Sequence, residues 1–202
     1  MSRNLRITSV VVAVAMLLGC ATQEPVPENN FYRLQIDAPQ QPAGSILNGT
    51  LAVGPLQGNG LVGGRAMVYS EASLPLQLRQ YHYHNWIESP PQLLQEQLVL
   101  FLRAAGVAKQ VISTDTGVNA EYLVSGKIRK LLENRSSNGA LVTVGLELAL
   151  IRTRDMQMLL LKDYEQTEVV SKENTMHDVV TAYGLAVSKL YKNFLDDLRA
   201  RN

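Results

Sequence analysis

Cysteine is nearly absent: Cys20 is the only one in 202 residues. A single thiol forms no intramolecular disulfide, so stability has to come from a packed core. Histidine is scarce as well, with only His82, His84 and His177. A zinc site takes three or four ligands. No cysteine is free to help, and the carboxylates Glu88 and Asp178 stand at no ligand-like spacing, so no metal site is expected. Charge is nearly balanced, with 19 Lys and Arg against 18 Asp and Glu. That leaves no basic excess to hold nucleic acid and no polybasic stretch for anionic lipid. Long hydrophobic runs are missing too. A spanning helix needs about twenty apolar residues, whereas the run from Ile7 to Leu18 has about twelve.

What is present begins with that run. Arg3 and Arg6 form a positive n-region and Ile7–Leu18 an h-region, so residues 1–19 read as an export signal peptide. The run ends in Leu17-Leu18-Gly19-Cys20. This resembles the lipobox of bacterial lipoproteins, whose cysteine receives a diacylglyceryl group and, after cleavage, an N-acyl chain. Cys20 is therefore the expected lipid-attachment residue. Two or more acyl chains hold a protein stably where one is marginal. Ala21 follows, not Asp, and by the sorting rule of lipoproteins in two-membrane bacteria this implies the periplasmic face of the outer membrane. Without Arg3 and Arg6 the mature chain carries 17 basic and 18 acidic residues, a net charge of −1. Residues 20–30 read as a lipidated tether with two prolines, Pro25 and Pro27; ten residues reach at most about 33–36 Å. Residues 31–202 are long enough for one domain.

Within that domain Phe31–Ile36 and Leu47–Val53 read as strands. Ala66–Glu71 and Leu76–Tyr81 follow as short extended pieces split by Pro75. Ser89-Pro90-Pro91 is a helix start, and Leu94, Leu98, Phe101, Leu102 and Ala105 recur at helical spacing until Gly106. After a short strand near 110–113, the strands 121–132, 141–151 and 156–170 are joined by turn-like NRSSNG and TRD, which predicts an antiparallel meander. Val142, Val144, Leu146, Leu148 and Leu150 alternate on one face. Tyr122, Val124, Gly126, Ile128 and Leu132 share a parity in the strand before it. Thr175 and Asp178 suit a capping pair for a last helix whose stripe runs through Val179, Tyr183, Val187, Leu190, Phe194 and Leu198. The pattern predicts an α+β fold, a two-layer sandwich of a mixed, mostly antiparallel sheet with both helices on one face.

Two motifs suggest chemistry. Gly58-Asn59-Gly60-Leu61-Val62-Gly63 spells G-x-G-x-x-G, but the dinucleotide fingerprint needs a helix opening at once. Ala66-Met67-Val68-Tyr69 reads as strand instead, so the expectation is a surface loop and no cofactor. Residues 80–91, QYHYHNWIESPP, gather two histidines, two tyrosines and the only tryptophan. Tyr81, Tyr83 and Trp86 can pack at a core edge or anchor a partner. No serine stands in a nucleophile elbow, so no catalytic residue is assigned.

The signal and Cys20, Phe31-Tyr32-Arg33-Leu34, Val53-Gly54-Pro55-Leu56, Arg65-Ala66-Met67-Val68-Tyr69, and Tyr81 to Pro91 before a leucine-rich helix together resemble the ABC-type transport auxiliary lipoprotein family, of PqiC-like proteins. Asn85 stands where many members have arginine before the tryptophan. The resemblance implies a non-catalytic outer-membrane component without cofactor. Its implied partners are an MCE-type periplasmic protein and inner-membrane permease or ABC subunits that move lipids or other hydrophobic molecules; a homo-oligomer is compatible with it. Two other readings stay open on the residues alone. One is an envelope-assembly lipoprotein for outer-membrane proteins or lipopolysaccharide. The other is a periplasmic hydrolase in which His82, His84 and a carboxylate converge.

Overall fold

A computed structural model describes residues 27–39, 45–171 and 173–201; the signal peptide, Cys20 and most of the tether lie outside them. Eight strands and two helices follow in the order β1 (Asn30–Tyr32), β2 (Leu47–Val53), β3 (Ala66–Glu71), β4 (Leu74–Trp86), α1 (Pro90–Ala104), β5 (Ala108–Ser113), β6 (Tyr122–Ser136), β7 (Gly139–Arg152), β8 (Gln157–Val169) and α2 (Met176–Ala200).

β6 organises the sheet. Along one edge it pairs antiparallel with β7, and β7 pairs likewise with β8, which is the expected meander. Its other edge takes two parallel partners in succession: β2 beside Tyr122–Val124 and β3 beside Glu133–Arg135. Between them Gly54 N–H donates to Val124 O (2.9 Å) and Gln57 N–H to Gly126 O (2.9 Å). Residues 47–71 thus follow one lane along β6, interrupted by an excursion over 58–65. β5 lies outside β2, β4 lies outside β3, and β1 pairs parallel with the end of β4. The sheet is mixed as expected. The antiparallel ladders are the longer ones, but β1, β2, β3 and β5 each contribute a parallel pairing.

Both helices cover the same face. α1 buries Leu94, Leu98, Phe101 and Leu102, and α2 buries Val179, Tyr183, Val187, Leu190, Phe194 and Leu198, the stripes that helical spacing picks out. They meet where the Tyr191 hydroxyl donates to Leu94 O (2.7 Å) and its ring stands edge-on to Phe101. The inward parity of β7 packs beneath them. α2 opens with a complete capping box: Thr175 N–H donates to Asp178 Oδ2 (2.9 Å) and Asp178 N–H donates to Thr175 Oγ1 (3.3 Å).

Three expectations need correction. The first strand ends at Tyr32 and not at Ile36. The next residues strap across α2 instead, burying Leu34 and bonding Asp37 N–H to Ser188 Oγ (2.9 Å). Pro75 does not split a strand: β4 runs through it, which an edge strand tolerates because no neighbour needs that N–H. In β6, an irregularity between Ile128 and Lys130 shifts the register against β7. Leu131 and Glu133 consequently turn inward and are buried, while Leu132 takes the other face.

Candidate functional site

The aromatic segment 80–91 forms the joint between sheet and helices. Its strand is irregular: β3 pairs Val68 with Gln80 but Ala66 with Asn85, so residues 81–84 bulge out of one-to-one register with β3, while His84 lies beside Asn30 of β1. The bulge lets neighbouring side chains serve different surroundings. The Tyr81 hydroxyl donates to Glu133 Oε2 (2.6 Å). The carboxylate is buried, 2 % exposed, and Arg135 stands 3.7 Å from its other oxygen. The Arg135 guanidinium lies over the rings of Tyr69 (5.3 Å) and Tyr81 (5.9 Å), and those rings are 4.6 Å apart. His84 presents its ring edge to Tyr81, and its Nδ1 shares a 2.8 Å hydrogen bond with the Tyr32 hydroxyl. Burial pushes the Glu133 carboxyl above the usual carboxylate range, against the Tyr81 hydrogen bond and the Arg135 charge, which pull it down. Burial and the Glu133 contact push the Tyr81 hydroxyl up, so it stays protonated and donates.

Trp86 belongs to the core, stacked edge-on against Tyr183 at 5.2 Å. The chain on either side is clamped: Trp86 N–H donates to Arg65 O (2.7 Å) and Arg65 Nε donates to Trp86 O (3.1 Å). The Arg65 guanidinium lies over Phe31, 5.2 Å from the ring centre.

The three candidate partner residues differ in exposure. Tyr83 is exposed. Tyr81 is half-buried and donates to Glu133, and Trp86 is 3 % exposed, packed into the core. The histidines separate as well. His82 is exposed beside Tyr83 and His84 is held by Tyr32. His177 lies on the first turn of α2, where Asp178 is occupied by the capping box. Among the described residues no group of three His, Cys, Asp or Glu is placed to hold a metal ion. The glycine-rich excursion forms a short 3-10 turn at Gly60–Gly63, followed directly by β3 and not by a helix; it packs on itself, since a Cβ at Gly63 would lie 2.4 Å from Gly58 O. Glu133 and Arg135 carry no sequence signal, because the β6 register shift, which has no residue signature, decides where they point.

A groove of about 720 Å³ runs between α1 and β5, with Val99, Leu100 and Ile112 as apolar lining and Glu88, Glu96 and Asp115 as acidic lining. Arg103 in the same groove is already fixed, donating twice to Val111 O (3.2 and 2.8 Å).

Comparison with known proteins bears on this arrangement. The profile described as "ABC-type transport auxiliary lipoprotein component" matches residues 32–193. The chain belongs to this family. No curated protein matches it. Among solved structures, protein XCC0632 from Xanthomonas campestris is similar over 85 % of this chain and 96 % of its own, at 14 % identity and a TM-score of 0.74. An uncharacterised protein is similar over 85 % and 99 %, at 12 % identity and 0.65. At these identities the likeness concerns the fold. The auxiliary lipoprotein family thus accounts for the resemblance carried by the Tyr81–Pro91 stretch, which lies within the matched residues and serves here as an internal joint. The match begins at Tyr32, beyond the lipobox and Cys20.

Proposed function

We propose that this auxiliary lipoprotein is acylated at Cys20 on the periplasmic face of the outer membrane. There it docks the MCE-type periplasmic protein of a system that moves lipids or other hydrophobic molecules between the membranes. The observation that carries the proposal is the family match over residues 32–193; the lipobox-like Leu17–Cys20 and Ala21 beside it support the location. In this reading the domain binds and positions, while ATP hydrolysis on another subunit drives transport. The geometry supports that division. His82, His84, Glu133 and Trp86 either face solvent or are occupied within the joint. The α1–β5 groove, with its acidic lining, offers a surface for a basic segment of the partner.

Mass spectrometry of the N-terminal peptide from native membranes tests the anchor: three acyl chains on Cys20 are expected, and an unmodified thiol would sink it. Affinity purification of the native lipoprotein tests the docking role. Co-purification of an MCE-type protein, with loss of outer-membrane integrity on deletion, is expected. Partners from the porin or lipopolysaccharide assembly machinery, with a change in porin or lipopolysaccharide levels, would favour the envelope-assembly reading instead.

A further inference from the structure

The sheet face turned away from the helices carries charged pairs such as Lys127–Glu147 and Arg129–Asp163, with exposed apolar side chains elsewhere on it. Leu74, Leu76 and Leu78 project from the start of β4, exposed by 49, 98 and 44 %. The described neighbours leave no bare carboxylate there: Glu71 holds Arg79 at 3.1 Å and Glu133 pairs with Arg135. Over Leu74–Leu78, β4 has a neighbour on one side only, because β1 pairs with it at His84–Trp86 and β3 holds the other side. Pro75 among them lacks an N–H, so strand addition by a protein partner is disfavoured at this place.

The direction of the tether points to the occupant. β1 is parallel to β4, with Asn30 beside His84 and Tyr32 beside Trp86. The chain before Asn30 therefore leaves on the side of the β4 start, where the three leucines are. From Ala66 to Glu71 the hairpin spans about 17–20 Å, and the ten residues from Ala21 to Asn30 reach at most about 33–36 Å. Acyl chains at Cys20 thus lie within reach of the leucines. Resting on the lipid-anchor reading above, we propose that the β3–β4 hairpin end is a second membrane contact. Leu74, Leu76 and Leu78 dip into the leaflet that holds the Cys20 acyl chains, and so set the orientation of the domain on the membrane. An interfacial contact of this kind enters about 5–10 Å and requires no complementary pocket.

The test uses the lipoprotein processed in cells. Acylation consumes its only cysteine, so Leu76→Cys provides a unique site for an environment-sensitive fluorophore, and Met158→Cys, at the far end of β6 on β8, provides the control. Both substitutions are at exposed positions. In vesicles of phosphatidylethanolamine and phosphatidylglycerol, a blue shift and quenching by lipids brominated on the acyl chain are expected at 76 and absent at 158. Adding Leu74→Glu to the Leu76→Cys protein should abolish the shift without releasing it from the vesicles. If the protein floats with vesicles and carries its acyl mass but the label at 76 stays solvent-like, or behaves as at 158, the hairpin contact is wrong and the anchor stands. If acyl mass and flotation are both missing, the anchor and the hairpin contact fail together.

Discussion

Gly184→Ala is expected to destabilise the domain, although the same change inside an ordinary helix stabilises it. Gly184 lies in the ninth position of α2, where replacing glycine by alanine normally gains about 1 kcal/mol. Here the strap 33–37 crosses the helix so closely that a Cβ would lie 2.2 Å from Gln35 O. Backbone cannot yield as a flexible side chain can, so the strap must lift. Lifting it exposes Leu34, now 6 % exposed, at a cost of about 1.5–3 kcal/mol. It also breaks the bond from Asp37 N–H to Ser188 Oγ, worth about 0.5–1.5 kcal/mol. Set against the helix gain, the net loss is about 1–3 kcal/mol, or roughly 3–10 °C in Tm for a domain of this size. Thermal and urea unfolding of the unlipidated domain beginning at Ala21 measure it. A second arm isolates the cause: in a Leu34→Ala background, where the strap has less to lose, the cost of Gly184→Ala should shrink. A neutral or stabilising Gly184→Ala, or an undiminished cost in the Leu34→Ala background, would refute the account of the crossing.

Tyr81→Phe removes the donor from buried Glu133, and its cost should depend on pH. A carboxyl held above its ordinary range loses stability as pH rises from the ordinary value to the folded one, and is flat above that. Without the hydroxyl the folded value moves higher still. The cost is therefore greatest near pH 7, about 1–3 kcal/mol, and smaller near pH 5; urea unfolding giving equal costs at both would contradict it. Trp86→Ala should lose about 3–5 kcal/mol as a core truncation, while Tyr83→Ala should stay within about 0.5 kcal/mol; equal effects in thermal melts would mean that the two rings do not divide between core and surface. Thr175→Ala should cost about 1 kcal/mol through the lost cap, seen as a lower urea midpoint, and Thr175→Ser should restore it. Replacing His82 and His84 together by alanine should leave outer-membrane integrity in a complemented deletion strain unchanged; loss of function with a folded protein would reopen the hydrolase reading.

Much of this architecture is legible in the residues. The stripes of Leu94, Leu98, Phe101 and Leu102 and of Val179, Tyr183, Val187 and Leu190 recur at the period of a helix, and the alternation Val142–Leu150 at that of a strand, so burial follows from spacing alone. The Thr175 and Asp178 cap is a local pairing and could be read locally. What escaped depends on partners far along the chain. The Ile128–Lys130 irregularity exists only in register against β7. It exchanges the facing of Leu132 with that of Leu131 and Glu133, so the most deeply placed carboxylate of the joint sat on the wrong parity in a purely periodic reading. The strap over α2 looked like strand because Phe31-Tyr32-Arg33-Leu34-Gln35-Ile36 alternates; it leaves the sheet because Gly184, some 150 residues later, allows the backbone to pass.

By itself the amino-acid order determined most of the elements, the inward faces of the helices and of β7, the family resemblance and the position of the lone cysteine, because propensity, periodicity and local motifs act over a few residues. Tertiary structure alone decided which aromatic of the Tyr81–Trp86 stretch is core, network or surface. It also decided that Glu133 is buried and that Leu74, Leu76 and Leu78 are left uncovered. Those outcomes turn on which strands lie side by side and in what register, a balance of packing and backbone hydrogen bonding between segments that do not meet until the chain has folded.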